Sequence, residues 1–280
     1  MMDPISDMTV ADFSQYLDED EKSAATIDKY TRDVKAFLKF CLGRPVTKEV
    51  ALSYKAWLQQ EGYAVRSINS MLASLNSFFT FLGKQELKIK PIRLQQQIFR
   101  PEEKEMTRQE YERLCEAAMK KKNERLLLVM QTLCGTGIRI SELRFITVEA
   151  IKRGEAEVSC KGKTRAVFLV KKLQEKLLCF ASKHGYTSGP VFVTRTGKPL
   201  NRCNIWREMK ALCAEAGIHP GKVFPHNFRH LFACVFYKME KDIGKLADIL
   251  GHSNINTTRI YILSTGLEHR LQMERMRLIL

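Results

Sequence analysis

Several features are missing from this 280-residue sequence, and each absence narrows the class of protein. It has no run of apolar residues long enough to span a membrane. Its first ten residues have neither the basic nor the apolar region of a secretory signal. None of its eight cysteines forms a CxxC pair, so neither a disulfide framework nor a zinc site is indicated. We therefore expect a cytoplasmic protein with free thiols and no membrane partner.

Basic residues are also absent from residues 1–21, which carry seven acids and no Lys or Arg. All 46 basic residues therefore fall in residues 22–280, against 24 acids, and the net charge of the whole chain is +15. A basic surface of this size favours a polyanionic partner such as nucleic acid. On charge alone, a soluble protein that is merely basic remains the alternative.

The first part of the chain has a helical pattern. Apolar residues recur every three or four positions in 23–41, 47–62 and 65–83. Thr47 is placed to cap the second helix, and Gly62 is placed to end it. We predict an all-helical domain over residues 1–83.

The periodicity fails from residue 84 to 105, a stretch with two prolines and three consecutive glutamines. We interpret it as a linker between two domains; the alternative is an extended segment that lies on a ligand. Residues 106–280 form the second predicted domain, with a C-terminal tail. It begins at a capping box of Thr107 and Glu110 and continues helically to Gly135. Alternating apolar residues around a Lys-Gly-Lys turn then predict two short strands. The fold class is therefore mainly α with a small β-sheet, and this domain is mixed α/β.

A histidine and an arginine, His226 and Arg229, lie on one face of an apolar helix that starts near Pro225. A buried Arg needs an anion, yet no acid lies between Glu215 and Glu240. The anion is either distant in sequence or a substrate phosphate. For an isolated pair of this kind, an Arg that reaches solvent at a helix end is the simpler interpretation.

Three further residues elsewhere in the chain could also bind or attack a phosphate. Arg139 comes after the glycines of GTG and starts a helix, a place suited to a phosphate, with Glu142 one turn on. His252 follows a glycine turn, and Tyr261 comes nine residues later.

Four sequence blocks, GTGIRISEL, CKGKTRAVFL, PHNFRHLFA and LADILGHSNINTTRIY, together resemble the tyrosine recombinases, which include phage integrases and Xer-type recombinases. The resemblance covers residues 106–265. The helical segment 8–83 also looks like the core-type DNA-binding domain of that family. The function implied is site-specific cutting and rejoining of duplex DNA through a 3′-phosphotyrosyl intermediate.

The resemblance also implies a role for each matching residue. Tyr261 is the expected nucleophile. Arg139 and Arg229 are expected to bind the non-bridging oxygens of the phosphate, where a planar guanidinium offers paired donors. Lys161, in the predicted hairpin turn, is expected to protonate the leaving 5′-oxygen.

The histidines and the other hairpin cations have implied roles as well. His226 is expected to take the tyrosine proton or to position the phosphate, and His252 to donate a hydrogen bond to it. His230 is interpreted as a packed structural residue. Lys163 and Arg165 compete with Lys161 as general acid, because a hairpin register is easily misjudged by a residue or two.

The resemblance implies two partners: double-stranded DNA and further copies of the chain, which form a homo-tetramer on two DNA sites. An accessory directionality protein is a further partner that the resemblance allows. The chemistry requires no metal, and no glycine loop of the ATP-binding kind is present; we expect no cofactor. The tail, 264–280, is expected to dock on a neighbouring protomer or to fold back on its own domain.

Three other functions remain open. A type IB topoisomerase would use similar chemistry without pairing two sites. A catalytically silent DNA-binding regulator would need none of the six residues. A basic RNA-binding protein would account for the charge but not for the ordered blocks.

Overall fold

The computed structural model divides the chain into two compact units, residues 1–96 and 97–280. It describes the following residues: 7–93, 105–160, 163–194, 196–259, 261 and 273–276. Each unit has its own hydrophobic core. No helix among the described residues is long and apolar enough to cross a membrane.

Among its described residues, the first unit has four α-helices around a core rich in aromatic side chains. They are α1 (Asp7–Glu19), α2 (Ala24–Cys41), α3 (Lys48–Gln60) and α4 (Val65–Phe81). Thr47 caps α3 by accepting a hydrogen bond from the Val50 amide, and Gly62 follows its end with φ of +75°. Both predicted boundaries of α3 are therefore confirmed.

The structure differs from the prediction at the start of the expected linker 84–105. A 3₁₀ helix, Gln85–Leu87, follows α4, and Leu87 and Ile89 are buried in the core of the first unit. The Asn76 side chain accepts from the Ile89 amide at 2.8 Å and donates to the Ile89 carbonyl at 2.9 Å. The backbone groups of Ile89 are therefore bonded by a side-chain amide, as they would be by a neighbouring strand in a sheet. Such a segment has no helix or strand periodicity in its sequence.

The second unit contains nine further helices and one hairpin among its described residues. The helices are α5 (Arg108–Lys120), α6 (Glu124–Thr136), α7 (Val148–Arg153), α8 (Lys171–Lys183), α9 (Arg202–Lys210), α10 (Cys213–Ala216), α11 (Pro225–Glu240), α12 (Ile243–Leu250) and α13 (Ile255–Arg259), with 3₁₀ helices at Ile140–Phe145 and Pro220–Lys222. The hairpin strands are β1 (Glu155–Cys160) and β2 (Lys163–Phe168).

The capping box at the start of α5 is confirmed, because Thr107 and Glu110 each bond the other's backbone amide. The single helix expected from Thr107 to Gly135 is wrong, however. It is divided into α5 and α6 at a turn where Lys122 has φ of +52° and Asn123 caps α6. An asparagine side chain that accepts from the amide three residues on starts a new helix without a glycine or proline.

The two predicted strands are confirmed, and their pairing shows which face of β2 is buried. Antiparallel pairing places Val158 opposite Arg165 and Ala156 opposite Val167. Val167 is buried, whereas Phe168 is 70% exposed. Because side chains alternate along a strand, Arg165 shares the inward face with Val167.

Candidate active site

The site lies where α6, the following 3₁₀ helix, β2, α11, α12 and α13 of the second unit meet. The buried arginine of α11, Arg229, is at its centre with 1% of its surface exposed. Its partners are not carboxylates. Nη1 donates to the Gly137 carbonyl and Nη2 to the Leu250 carbonyl, each at 2.6 Å.

Both carbonyls belong to helix ends, since Gly137 caps the C-terminus of α6 and Leu250 is the last residue of α12. The C-terminal end of a helix carries partial negative charge, so two such ends stabilise a buried cation. Burial nevertheless lowers the pKa of Arg229 to about 10, and nearby Arg139 contributes to the shift. Among the described residues its Nε is buried with no hydrogen-bond partner. Within the described part of the site, this cation thus keeps one N–H without an acceptor.

Glycine is required at Gly137 because the α6 cap has φ of +66° and lies against α11. A Cβ there would be 2.5 Å from the Phe232 ring. The GTG stretch therefore brings the carbonyl of Gly137 within reach of Arg229.

A second arginine, Arg139, precedes the 3₁₀ helix and is 35% exposed through its side chain. Its backbone amide and Nη1 both donate to Glu142, at 2.7 and 2.9 Å. Burial would raise the pKa of this carboxyl, but hydrogen bonds from Arg165 and Arg139 hold the pKa below its usual range. Glu142 therefore remains an anion although it is 1% exposed.

His252 lies between Arg229 and α13. Its Nε2 is 2.9 Å from Nη2 of Arg229, and its Nδ1 is 2.8 Å from Oγ1 of Thr258. Because a guanidinium can only donate, Nε2 accepts, and the ring proton lies on Nδ1. Burial, with Arg229 and Arg139 nearby, lowers the pKa of His252 to about 4, so the ring is neutral at physiological pH. In this geometry Nε2 of His252 accepts from Arg229, and the expected hydrogen bond from His252 to a phosphate stays a prediction.

Tyr261 is buried in a cluster with Ala233, Leu246 and Leu250. Its hydroxyl is 3.4 Å from Nε2 of His226. Its ring stacks on His252 with centroids 5.8 Å apart.

Two neighbours of the tyrosine carried no chemical signal in the sequence. Thr258 bonds His252 through its hydroxyl and accepts from the Tyr261 amide through its carbonyl at 2.9 Å. Cys234 donates to the Tyr261 carbonyl at 3.3 Å. His230, expected to be a packed structural residue, is buried. Its ring lies edge-on to that of Tyr261, with the ring centroids 5.2 Å apart.

The structure thus brings together five of the six predicted site residues: Arg139, His226, Arg229, His252 and Tyr261. The sixth, Lys161, lies outside the described residues, and its role stays a prediction. The side chain of its competitor Lys163 also lies outside them, whereas that of Arg165 is bound to Glu142. No cluster of three metal-binding side chains occurs in the described ranges.

Two family models match the chain, one for each unit. The phage integrase family matches residues 104–266, which is more than half of the chain. The phage integrase N-terminal SAM-like domain matches residues 10–86.

Named relatives match along almost the full length. The tyrosine recombinase XerA of Pyrococcus furiosus is 31% identical, over 96% of this chain and 93% of the relative. The tyrosine recombinase XerA of Thermococcus kodakarensis is 29% identical, over 96% and 95%.

The fold also matches solved structures. A lambda integrase tetramer bound to a Holliday junction superposes with a TM-score of 0.71 and 18% identity, over 91% of this chain and 76% of that one. These matches, together with the motif order and the geometry, show that the chain belongs to the phage integrase family and is a tyrosine site-specific recombinase.

Proposed function

We propose that the chain cuts duplex DNA by attack of the Tyr261 hydroxyl on a phosphodiester, forming a 3′-phosphotyrosyl link that a second DNA end reverses. The observation that carries this proposal is the buried guanidinium of Arg229. Its Nε has no acceptor among the described residues, and it lies in the same site as the tyrosine and Arg139. A fixed cation beside a nucleophile stabilises charge that develops on the phosphate oxygens in the transition state.

The proton of the tyrosine passes to His226 in this proposal. The separation of 3.4 Å is at the long end for a hydrogen bond, as is common before substrate binds. Arg139 and Arg229 bind the non-bridging oxygens, and Lys161 protonates the leaving oxygen. Without DNA, His252 orients Arg229 by accepting from Nη2.

The two units divide the work. We assign residues 7–93 to DNA binding and residues from 105 onward to catalysis, in keeping with the two family matches. The excess of Lys and Arg after residue 21 suits a phosphate backbone.

We further propose four copies on two DNA sites, by analogy with the tetramer named for lambda integrase. The accessory directionality protein and the cytoplasmic location stay predictions.

A covalent trapping experiment tests the proposal and identifies the target site at the same time. The full-length protein is incubated with nicked duplexes that carry a random central sequence. DNA that stays attached to the protein in denaturing detergent is then sequenced. We expect an enriched site and an adduct at Tyr261. The matched control is Tyr261→Phe, which keeps the ring packing but removes the hydroxyl.

Three results would contradict the proposal. An adduct that persists in Tyr261→Phe would place the nucleophile elsewhere, with Tyr237 as the next candidate. Adducts with no enriched sequence would indicate a topoisomerase, and a complete lack of adducts would indicate a regulator.

A further inference from the structure

One cation of the second unit contacts three residues around the site: Glu142, Ile249 and Gly251. It is Arg165 on β2, whose side chain is 13% exposed. Antiparallel pairing places it on the inward face of the hairpin, opposite the buried Val158.

Arg165 binds Glu142 through a two-pronged contact. Nη1 donates to Oε1 at 3.1 Å and Nη2 to Oε2 at 2.7 Å. Such a fork fixes the plane and rotation of a carboxylate as well as its charge. The remaining donor, Nε, is bonded to the Ile249 carbonyl of α12 at 3.1 Å.

The packing around Arg165 leaves little freedom. A Cβ at Gly251, which has φ of +65°, would be 2.8 Å from Cδ of Arg165. The end of α12 therefore closes over the side chain, and the same helix end supplies the Leu250 carbonyl that holds Arg229.

The buried carboxylate of Glu142 is shared unequally between two guanidiniums. Arg165 occupies both oxygens, whereas Arg139 contributes its backbone amide and Nη1. Arg165 thus fixes the orientation of the Glu142 carboxylate. The carboxylate can hold the partly exposed Arg139 by one edge, which leaves the other edge of that guanidinium directed away from Glu142.

We infer that Arg165 is a positioning residue that sets the orientation of Arg139 through Glu142. The inference rests on the proposed function of Arg139 as a phosphate ligand. It replaces the general-acid role considered for Arg165. An arginine stays protonated in proteins, and each of its nitrogens already has an acceptor.

The first test is kinetic and uses Arg165→Gln and Arg165→Lys, with Arg125→Gln as the matched control. Arg125, near the N-terminal end of α6, also pairs with a glutamate, Glu208, but that pair is partly exposed and uses one nitrogen of the guanidinium. The substrate is a nicked duplex with the trapped sequence. It is prepared with a natural phosphate or with a neutral methylphosphonate at the cleavage position. Folding of each variant is checked by its thermal transition.

We expect Arg165→Gln to cleave the natural phosphate on the order of tenfold to a hundredfold more slowly, with DNA affinity close to that of the wild type. The defect should shrink on the methylphosphonate, since less charge then needs to be neutralised by Arg139. Arg139→Lys should show the same pattern. An equal defect on both substrates, or no defect, overturns the inference.

The second test asks whether Arg165 acts through Glu142. The double variant Glu142→Gln/Arg165→Gln leaves no unpaired buried charge, so we expect it to cleave no more slowly than Glu142→Gln alone. Defects that multiply overturn the inference.

The third test needs no activity. The Nε–H signal of Arg139 is recorded by nitrogen-15 NMR of arginine-labelled protein and assigned with Arg139→Lys. We expect it to shift or broaden in Arg165→Gln and to stay in place in Arg125→Gln. An unmoved signal overturns the inference whether or not the wild type cuts DNA. A wild type that forms no adduct while the signal moves refutes the proposed function instead.

Discussion

Replacing Arg229 by lysine keeps the charge but removes the fork, and it separates the two roles of this side chain. The guanidinium holds the carbonyls of Gly137 and Leu250 together, each at 2.6 Å. A lysine carries its three donors on one nitrogen and cannot reproduce the spacing of Nη1 and Nη2, so we expect one of the two carbonyl contacts to be lost. A lost hydrogen bond to a charged group costs about 1.5–3 kcal/mol. For a unit of this size, that corresponds to a fall in Tm of roughly 3–12 °C.

The catalytic loss is expected to be larger than the loss of stability. Cleavage of a suicide substrate should slow by about a hundredfold or more, as when other preorganised charge partners are removed. The comparison variant is Arg139→Lys, at a residue that is 35% exposed through its side chain and whose partner Glu142 keeps Arg165. It should lose a similar factor in rate but less than half as much in Tm.

Calorimetry and single-turnover cleavage on the same preparations check both numbers. An Arg229→Lys protein with unchanged Tm would refute the role of the two helix-end carbonyls. Cleavage at the normal rate in either variant would show that the arginine is structural only.

Three further predictions concern the leaving group, pH and the tail. If Lys161 is the general acid, sulfur in place of the bridging 5′-oxygen should rescue Lys161→Ala in a cleavage assay, because a thiolate leaves without a proton; rescue of Lys163→Ala instead would move the role. The folded-state pKa of His252 is lowered to about 4 from 6.5, so the neutral ring stabilises the fold above pH 6.5, and that contribution is lost as pH falls from 6.5 towards 4. Tm should therefore depend less on pH in His252→Gln than in the wild type, and parallel curves would contradict the shift. Deleting Met276 to Leu280 should leave single-site binding intact in gel shifts but impair recombination of paired sites; full recombination by the truncated protein would exclude docking on a neighbour.

The sequence predicted the parts of the site that depend on residue type. Arginine, histidine and tyrosine have distinctive chemistry, and the blocks that contain them occur in a family-specific order. Five of those side chains do meet in the structure. Helices α2, α3 and α4 of the first unit and the hairpin were predicted by periodicity and turn residues, whereas α1 was not.

What the sequence did not indicate depends on contacts with the backbone. The partners of Arg229 are carbonyls, which every residue has, so nothing in the sequence distinguishes Gly137 or Leu250 as its acceptors. The burial of Ile89 depends in the same way on the Asn76 amide. The role of Arg165 depends on strand register, which one misplaced residue would reverse.

The double attachment of Thr258 sets a limit for anyone who re-engineers this enzyme. One residue fixes the ring of His252 through its hydroxyl and the backbone of Tyr261 through its carbonyl. The number of residues between His252 and Tyr261 is therefore constrained by the two contacts of Thr258. A one-residue insertion or deletion there would misplace either Tyr261 or His252. Libraries that aim to change target choice are better directed at surfaces outside this span, with its length held constant.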